Sequence, residues 1–533
     1  RGQGQNTGSN FAAPITLTGT GSYRRLSVNE FTNHVLVEDH DFVINGTSGN
    51  KIAVGNDSTP TGDDIFEFNG DISLLSDLLI ASEMQINPAS SGLRTSYSRF
   101  NGAFSGSRNL STSVAIGTAA DQRRGVFEFN GVNTGWTGSL TVGNAGNDVN
   151  KLHVVRIGNA QGIGAANNVI LRHNSTFQVG GLGVKVGNLS TTGAAGATST
   201  EVIENASHVA GTLTVTQTVD ASWDAYFRDG TPVGTLYETE DADPAASLSI
   251  VKAGAATATL TLDNAYTGST TVQSGTLQVG SGGSKTARAV GDTGTGSTTT
   301  VLSVNSGATV AGTGTIVGIR DTVTPANTTT HVLQGTLRPG DVQGSAVTPG
   351  DFTNLGTLAV KGNLDARGGT FAFQMGGASM RVDTAFAALE VGSSTYNSYL
   401  TTNVGTWDES ATAANRFDHD FLDIDGQLLL NGESSFVATF TTGYNPVAGT
   451  IIDLMDWAGV LGGTGFDVGQ NFRSGGAGGG DLYLPTLANP TLYYDVSQFA
   501  TNGIILVVTP EPGRTLLLLI GMFGVVWTRR RRN

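Results

Sequence analysis

Thr257 to Gly280 reads TATLTLDNAYTGSTTVQSGTLQVG, and its alternation decides the fold class. Leu260 and Leu262, then Thr271 and Gln273 around Val272, then Leu277 and Val279 alternate apolar with polar, as three short strands do. Asn264-Ala265-Tyr266-Thr267-Gly268 and Gln273-Ser274-Gly275 supply the turns between them. Gly-Thr-Leu recurs at Gly275, Gly335 and Gly356, and a relative, Ser306-Gly307-Ala308-Thr309-Val310, sits between the first two. The steps of 32, 28 and 21 residues are the size of one solenoid coil.

A second repeat lies upstream. Ile52-Ala53-Val54-Gly55 precedes Phe66-Glu67-Phe68-Asn69-Gly70, and Val114-Ala115-Ile116-Gly117 precedes Phe127-Glu128-Phe129-Asn130-Gly131. The offsets of 62 and 61 residues describe a duplicated unit of two or three coils. Trp136 to Gly143 then echoes Tyr266 to Val272. Between the copies, Ile72, Leu75 and Leu79, with Leu74 and Leu78, also fit a short amphipathic helix capped by Asp71, although the duplication favours strands.

A strand of four to six residues cannot bury both faces alone. Stacked on copies of itself at ~4.8 Å per coil, it forms long parallel sheets around a continuous interior. Val, Leu, Ile and Phe then point inward, Thr, Gln, Asn and Ser point outward, and glycines take the tight corners. The expected fold is therefore all-β: a right-handed parallel β-helix, or solenoid. Degenerate coils are expected over 1–110, regular coils over 111–414 and a β-rich closing cap over 415–508. A tail with a single transmembrane helix is expected over 509–533. The competing string of antiparallel β-sandwiches would show regular turn spacing and linkers, and no convincing linker occurs before about residue 340.

Composition narrows the function. The chain has 533 residues and 75 glycines, about twice the usual share, so corners are frequent. Its 44 acids outnumber 29 bases, and five of those bases lie among the last twenty residues, leaving 24 against 44 elsewhere. A body that acidic, without a basic stripe, excludes nucleic acid as a partner. There is no cysteine, hence no disulfide framework, thiolate nucleophile or Cys-ligated metal. Acidic, cysteine-free and Gly-rich, the chain reads as an exported bacterial surface protein. It opens at Arg1 without a basic-then-apolar leader, read as a processed terminus or a fragment start. At the other end the apolar run Leu516 to Trp527 is followed by Arg529, Arg530, Arg531 and Arg532. These arginines flank the membrane and, by the positive-inside rule, stay cytoplasmic while the body lies outside.

Two resemblances follow from these residues. Asn264, Tyr266, Thr267, Gly268, Thr270, Val272, Gly275, Thr276 and Leu277 make the stretch similar to the autotransporter-associated β-strand repeat. Gly296 to Gly318 and Gly335 to Gly340 are similar to the segments that usually follow it. No translocator barrel pattern follows, so the resemblance implies a surface passenger β-helix rather than an autotransporter. The tail, with Pro510, Glu511 and Pro512, then the apolar run and the arginine cluster, resembles the PEP-CTERM sorting signal. That resemblance implies recognition by an exosortase, membrane anchorage during sorting, and release or attachment at the surface of a Gram-negative envelope.

The sequence also admits enzymatic readings. Asp63-Asp64, Glu238 to Asp243 and Asp418 to Asp425 each offer paired carboxylates, the requirement for glycoside cleavage. Each also reads as a solvated loop or an outward strand. The histidines at 34, 40, 153, 173, 208, 331 and 419 lack metal-ligand spacing, and a His34/His40/Asp39/Asp41 cluster reads as a polar loop. Asp423-Ile424-Asp425-Gly426 and Gly475 to Asp481 are each only fragments of calcium loops. The expectation is a non-enzymatic structural or adhesive protein with no cofactor and no metal, with extracellular polysaccharide as a candidate partner. A β-helix lyase or glycosidase is the alternative.

Overall fold

A computed structural model describes residues 14–20, 23–28, 35–56, 64–83, 94–114, 123–143, 151–192, 201–230, 246–280, 301–318, 328–341, 355–376, 381–407, 419–441, 443–458, 461–473 and 480–509. Among these described residues strand accounts for 52% and helix for 5%, so the fold is all-β. The chain divides into two compact units at about residue 319.

In the first unit the expected alternation becomes stacked parallel strands. One sheet runs Tyr23–Val28, Asn50–Asn56, Leu78–Ser82, Leu110–Val114, Leu140–Val142, Val169–Leu171 and Leu189–Thr191. A second runs from Val35–Glu38 through Asp64–Phe68, Arg94–Phe100, Arg123–Phe129, Lys151–Ile157, Ser175–Gln178 and Glu201–Glu204 to Ala225–Arg228. Every pairing is parallel, and Phe68 sits beside Phe100, which sits beside Phe129. The 61–62-residue duplication is thus two coils, and Ile72–Leu74 and Leu78–Ser82 are strands, not a helix. The pattern is β-helix-like.

Interior positions repeat from coil to coil. Ile52, Ile80, Thr112, Val142 and Leu171 form one buried row. Phe68 stacks on Phe100 at 4.8 Å between ring centroids and Phe100 on Phe129 at 5.6 Å, with Phe104 and Trp136 closing the cluster. At the adjoining corner an Asn-Gly pair recurs. Asn101 donates from Nδ2 to Asn69 Oδ1 at 2.8 Å, and Asn130 donates to Asn101 Oδ1 at 2.9 Å. A Cβ on Gly102 would stand 2.1 Å from the carbonyl oxygen of Gly70, and one on Gly131 2.1 Å from that of Gly102. The coils can close to stacking distance there only without a side chain.

In the second unit Gly335 and Gly356 precede strands Thr336–Pro339 and Thr357–Val360, which lie in different sheets. The strand stacked on Thr336–Pro339 is Thr370–Met375, with Thr336 beside Thr370. The 21-residue step is therefore a passage between sheets and not a coil. Among the described residues between Met375 and Phe421, two segments form helices α1 (Thr384–Ala387) and α2 (Ser394–Trp407), where the sequence predicted only coils. Tyr396 and Leu400, one turn apart on α2, pack on Phe386, Val391, Ile451, Ile504, Leu506 and Val508. Stacking then resumes: Phe421–Ile424 pairs with Thr357–Val360 and Ser435–Phe440 with Thr370–Met375, both parallel. Parallel pairing thus continues past 414, and antiparallel pairs join Ile451–Asp453 to Ile504–Val508, Ile504–Val508 to Tyr493–Asp495 and Tyr493–Asp495 to Phe472–Arg473. No helix among the described residues is long and apolar enough to cross a membrane. The predicted span Leu516–Trp527, with Pro510, Glu511, Pro512 and Arg529 to Arg532, lies outside the described residues.

Candidate functional site

The residues of the Thr257–Gly280 repeat each have a physical task. Thr257–Leu260, Thr270–Val272 and Thr276–Val279 are the three strands predicted. Asn264 accepts from the Phe227 amide at 2.9 Å, tying the first turn to the coil below. Thr267 donates its hydroxyl to Asp229 at 2.7 Å. Tyr266 is fully buried with its hydroxyl 2.5 Å from Thr270 Oγ1, and burial pushes its phenol well above the ordinary range. Gly268 is held by its amide on the Leu248 carbonyl, where a Cβ would stand 2.1 Å from that oxygen. Val272 and Leu277 fill the interior.

One residue of this coil breaks the apolar rule. Lys252 continues the buried series Leu248, Ile250, and its Nζ donates to the carbonyls of Gly254 at 2.8 Å and Ser274 at 2.9 Å. The ammonium clips the Gln273-Ser274-Gly275 turn to the strand beneath it. Burial lowers its pKa from 10.5 to about 8, partly opposed by Asp220. The unfolded chain therefore binds this proton more tightly than the fold between these two values, so the group's contribution to stability rises with pH across that window. Denaturant titrations at several pH values should show the parent gaining on Lys252→Met from pH 8 to pH 10.5. Parallel curves would contradict this protonation.

A polar row crosses the second sheet on its outer face. Glu67, Arg99, Glu128, Arg156, Gln178, Glu204 and Arg228 are successive register partners on seven strands. Arg99 reaches Glu67 at 3.3 Å and Glu128 at 2.6 Å, and Arg156 reaches Glu128 at 2.8 Å. Gln178 accepts from Arg156 at 2.8 Å and donates to Glu204 at 2.8 Å, and Arg228 meets Glu204 at 2.7 Å. Each arginine of the row thus reaches a glutamate, and Gln178 bridges Arg156 to Glu204. Burial opposes the charge of Arg99, but Glu128 and Glu67 more than offset it, so its pKa stands above the ordinary value. The linear reading missed this row. Its trace was Phe66-Glu67-Phe68 and Phe127-Glu128-Phe129 with Ser98-Arg99-Phe100 midway between.

The outer face of the first sheet carries a cleft of about 340 Å³. Small residues Ser111, Ser113 and Gly143 form its floor, Leu79 one wall, and Asp77 and Arg172 contribute opposite charges. A more open depression of about 470 Å³ lies on α2 beside Ser394, Ser398, Tyr399 and Thr402, with the Tyr399 hydroxyl donated to Asp383 at 2.9 Å.

Of the predicted carboxylate groups, the structure describes those of Asp420, Asp423 and Asp425. Asp63, Glu238 to Asp243 and Asp418 lie outside the described residues, as does His34. Asp420 is buried and accepts from the amides of Gln374 at 2.8 Å and Gly356 at 3.3 Å; burial raises its pKa well above the ordinary value, against those hydrogen bonds. Asp423 instead lies beside Asp456 on the next strand, a pairing the linear sequence does not display. Asp425 accepts from the Gly362 amide at 2.7 Å and lies 3.4 Å from Lys361. Asp39 accepts from Asn69, Asp41 accepts from the Asp71 amide, and His40 Nδ1 lies 2.5 Å from Glu38, so that cluster serves the corner. His331 and His419 are buried against the carbonyls of Lys361 and Asp453. Among the described residues no three His, Asp or Glu side chains are grouped to hold a metal.

Residues 250–279 match a family described as the passenger-associated-transport-repeat. No curated protein sequence matches the chain. The match covers the three strands above together with Lys252, and it points to a surface or secreted protein carrying a passenger-type repeat.

Proposed function

We propose that the protein is a non-enzymatic component of the bacterial cell surface or extracellular matrix, with a structural or adhesive role. In this reading the body is a right-handed solenoid, and a carboxy-terminal signal sorts it. The observation that carries the reading is a passenger-type repeat at 250–279 set within stacked parallel coils. Such coils present long regular faces of Ser, Thr and Asn, suited to many weak hydrogen bonds. Pro510, Glu511 and Pro512 are the processing element for an exosortase-type enzyme, and two prolines keep that stretch extended. Leu516 to Trp527 holds the chain in the bilayer, and Arg529 to Arg532 fix its orientation.

The test is expression in a Gram-negative host with and without an exosortase, followed by fractionation and intact-mass measurement. The parent should reach the surface in processed form only where the enzyme is present, while Pro510-Glu511-Pro512→Ala-Ala-Ala should remain membrane-anchored and unprocessed. Equal processing of parent and triple variant would reduce the tail to a plain anchor. The same purified protein should turn over no polysaccharide. Turnover abolished by Asp423→Asn or Asp456→Asn would replace the structural role with a hydrolase or lyase.

A further inference from the structure

We infer that the cleft on the outer face of the first sheet is a binding site for an acidic saccharide, a chain containing a carboxylate-bearing uronic acid unit. The inference rests on the surface role proposed above and names the ligand class that role would engage. The site arises from register. On this sheet Leu79 and Ser111 are outward neighbours on adjacent strands, and Ala81 and Ser113 are the next outward pair. Arg172 joins Gly143 beyond them, its amide bonded to the Val142 carbonyl. Two hydroxyls and a glycine, with the small, buried Ala81 beside Ser113, leave about 340 Å³, enough for one or two sugar rings.

The chemistry of the lining selects the ligand. Arg172 is half-buried, and its guanidinium makes no ion pair among the described residues. In a chain with 44 acids and 29 bases, an unpaired cation in a recess is a fork for a carboxylate. Ser111 and Ser113 are half-buried with no side-chain hydrogen bond among the described residues, so both remain available to ring hydroxyls. Asp77 lies across the cleft; one of its oxygens takes the Asn109 amide at 2.9 Å, and the carboxylate keeps capacity for a sugar hydroxyl. Leu79 supplies the apolar patch on which a ring's C–H face can rest. Asn50 lines the same cleft at 2% exposure, and its Nδ2 donates to Ser76 Oγ at 3.0 Å and to the Asp77 carbonyl at 3.1 Å, fixing the corner that carries the Asp77 carboxylate.

The experiment titrates the full chain with tetragalacturonate and with neutral maltotetraose, by calorimetry at 50 and 300 mM salt. Tetragalacturonate should bind at least ten times more tightly than maltotetraose and weaken as salt is raised. Arg172→Gln should lose at least ten-fold in affinity for the acidic sugar, with its circular dichroism and melting curve unchanged. Ser113→Leu, which fills the floor, should abolish binding of both. Equal affinity for the two sugars overturns the acidic specificity. Unchanged tetragalacturonate binding in both variants, or no binding by the parent, overturns the site. None of these outcomes depends on the tail, so a failed sorting test leaves them readable.

Discussion

Phe100→Ala is expected to destabilise the first unit by about 3–5 kcal/mol, the range for removing a buried phenylalanine from a close-packed interior. Phe100 is 1% exposed and touches the rings of Phe68, Phe104 and Phe129. Its removal opens a gap at the middle of a stack, where neither neighbouring coil can collapse without losing its own register. A stacked coil contacts chiefly the coils next to it, so the damage should stay local. Hydrogen exchange should show lost protection in Asp64–Phe68, Arg94–Phe100 and Arg123–Phe129, with the strands of residues 250–279 nearly unchanged. A uniform loss of protection across the unit would mean that the coils unfold as one cooperative body, against the nearest-neighbour picture.

The second large effect is at Glu128, which takes both Arg99 and Arg156. Its side chain is 9% exposed, those of the arginines 18% and 16%, so the row is only partly screened by solvent. Removing one partner from a fully buried pair costs roughly 3–5 kcal/mol, and the residual exposure here brings the expected loss for Glu128→Ala to about 2–3 kcal/mol. Glu128→Gln should lose less, because an amide can still accept from one arginine, as Gln178 does from Arg156. Denaturant midpoints at low and high salt would measure both variants. A loss under about 0.5 kcal/mol that vanishes in salt would place the row with ordinary surface pairs.

Much of the fold was legible in the sequence because a solenoid writes its strands locally. At Gly275, Gly335 and Gly356, Gly-Thr-Leu marks a corner followed by an inward leucine, and each of the three does lead into a strand. That locality also explains the misread 21-residue step, since the motif specifies a corner and a strand but not the sheet that receives them. Helix α2 was not legible for a different reason. Ser394–Trp407 is rich in Ser, Thr and Asn, residues that favour caps and turns over helix interiors. Its helicity is fixed by packing Tyr396 and Leu400 on strands more than fifty residues away in sequence. The charged row and the cleft belong to the same class, being assembled from residues about thirty positions apart that only stacking makes neighbours.

The alternation of sign along the row from Glu67 to Arg228 sets the increment by which such a chain can lengthen. Copying one coil in tandem would set glutamate against glutamate or arginine against arginine, whereas copying two restores the same order of charges. The internal duplication, at 61–62 residues, spans two coils and returns glutamate to glutamate at Glu67 and Glu128. Gln178 marks the exception this arithmetic allows, since an amide both accepts and donates. A lone coil can be spliced between Arg156 and Glu204 through it without a like-charge contact. Growth in pairs, with a neutral joint where parity must be broken, is thus the lengthening that these side chains permit.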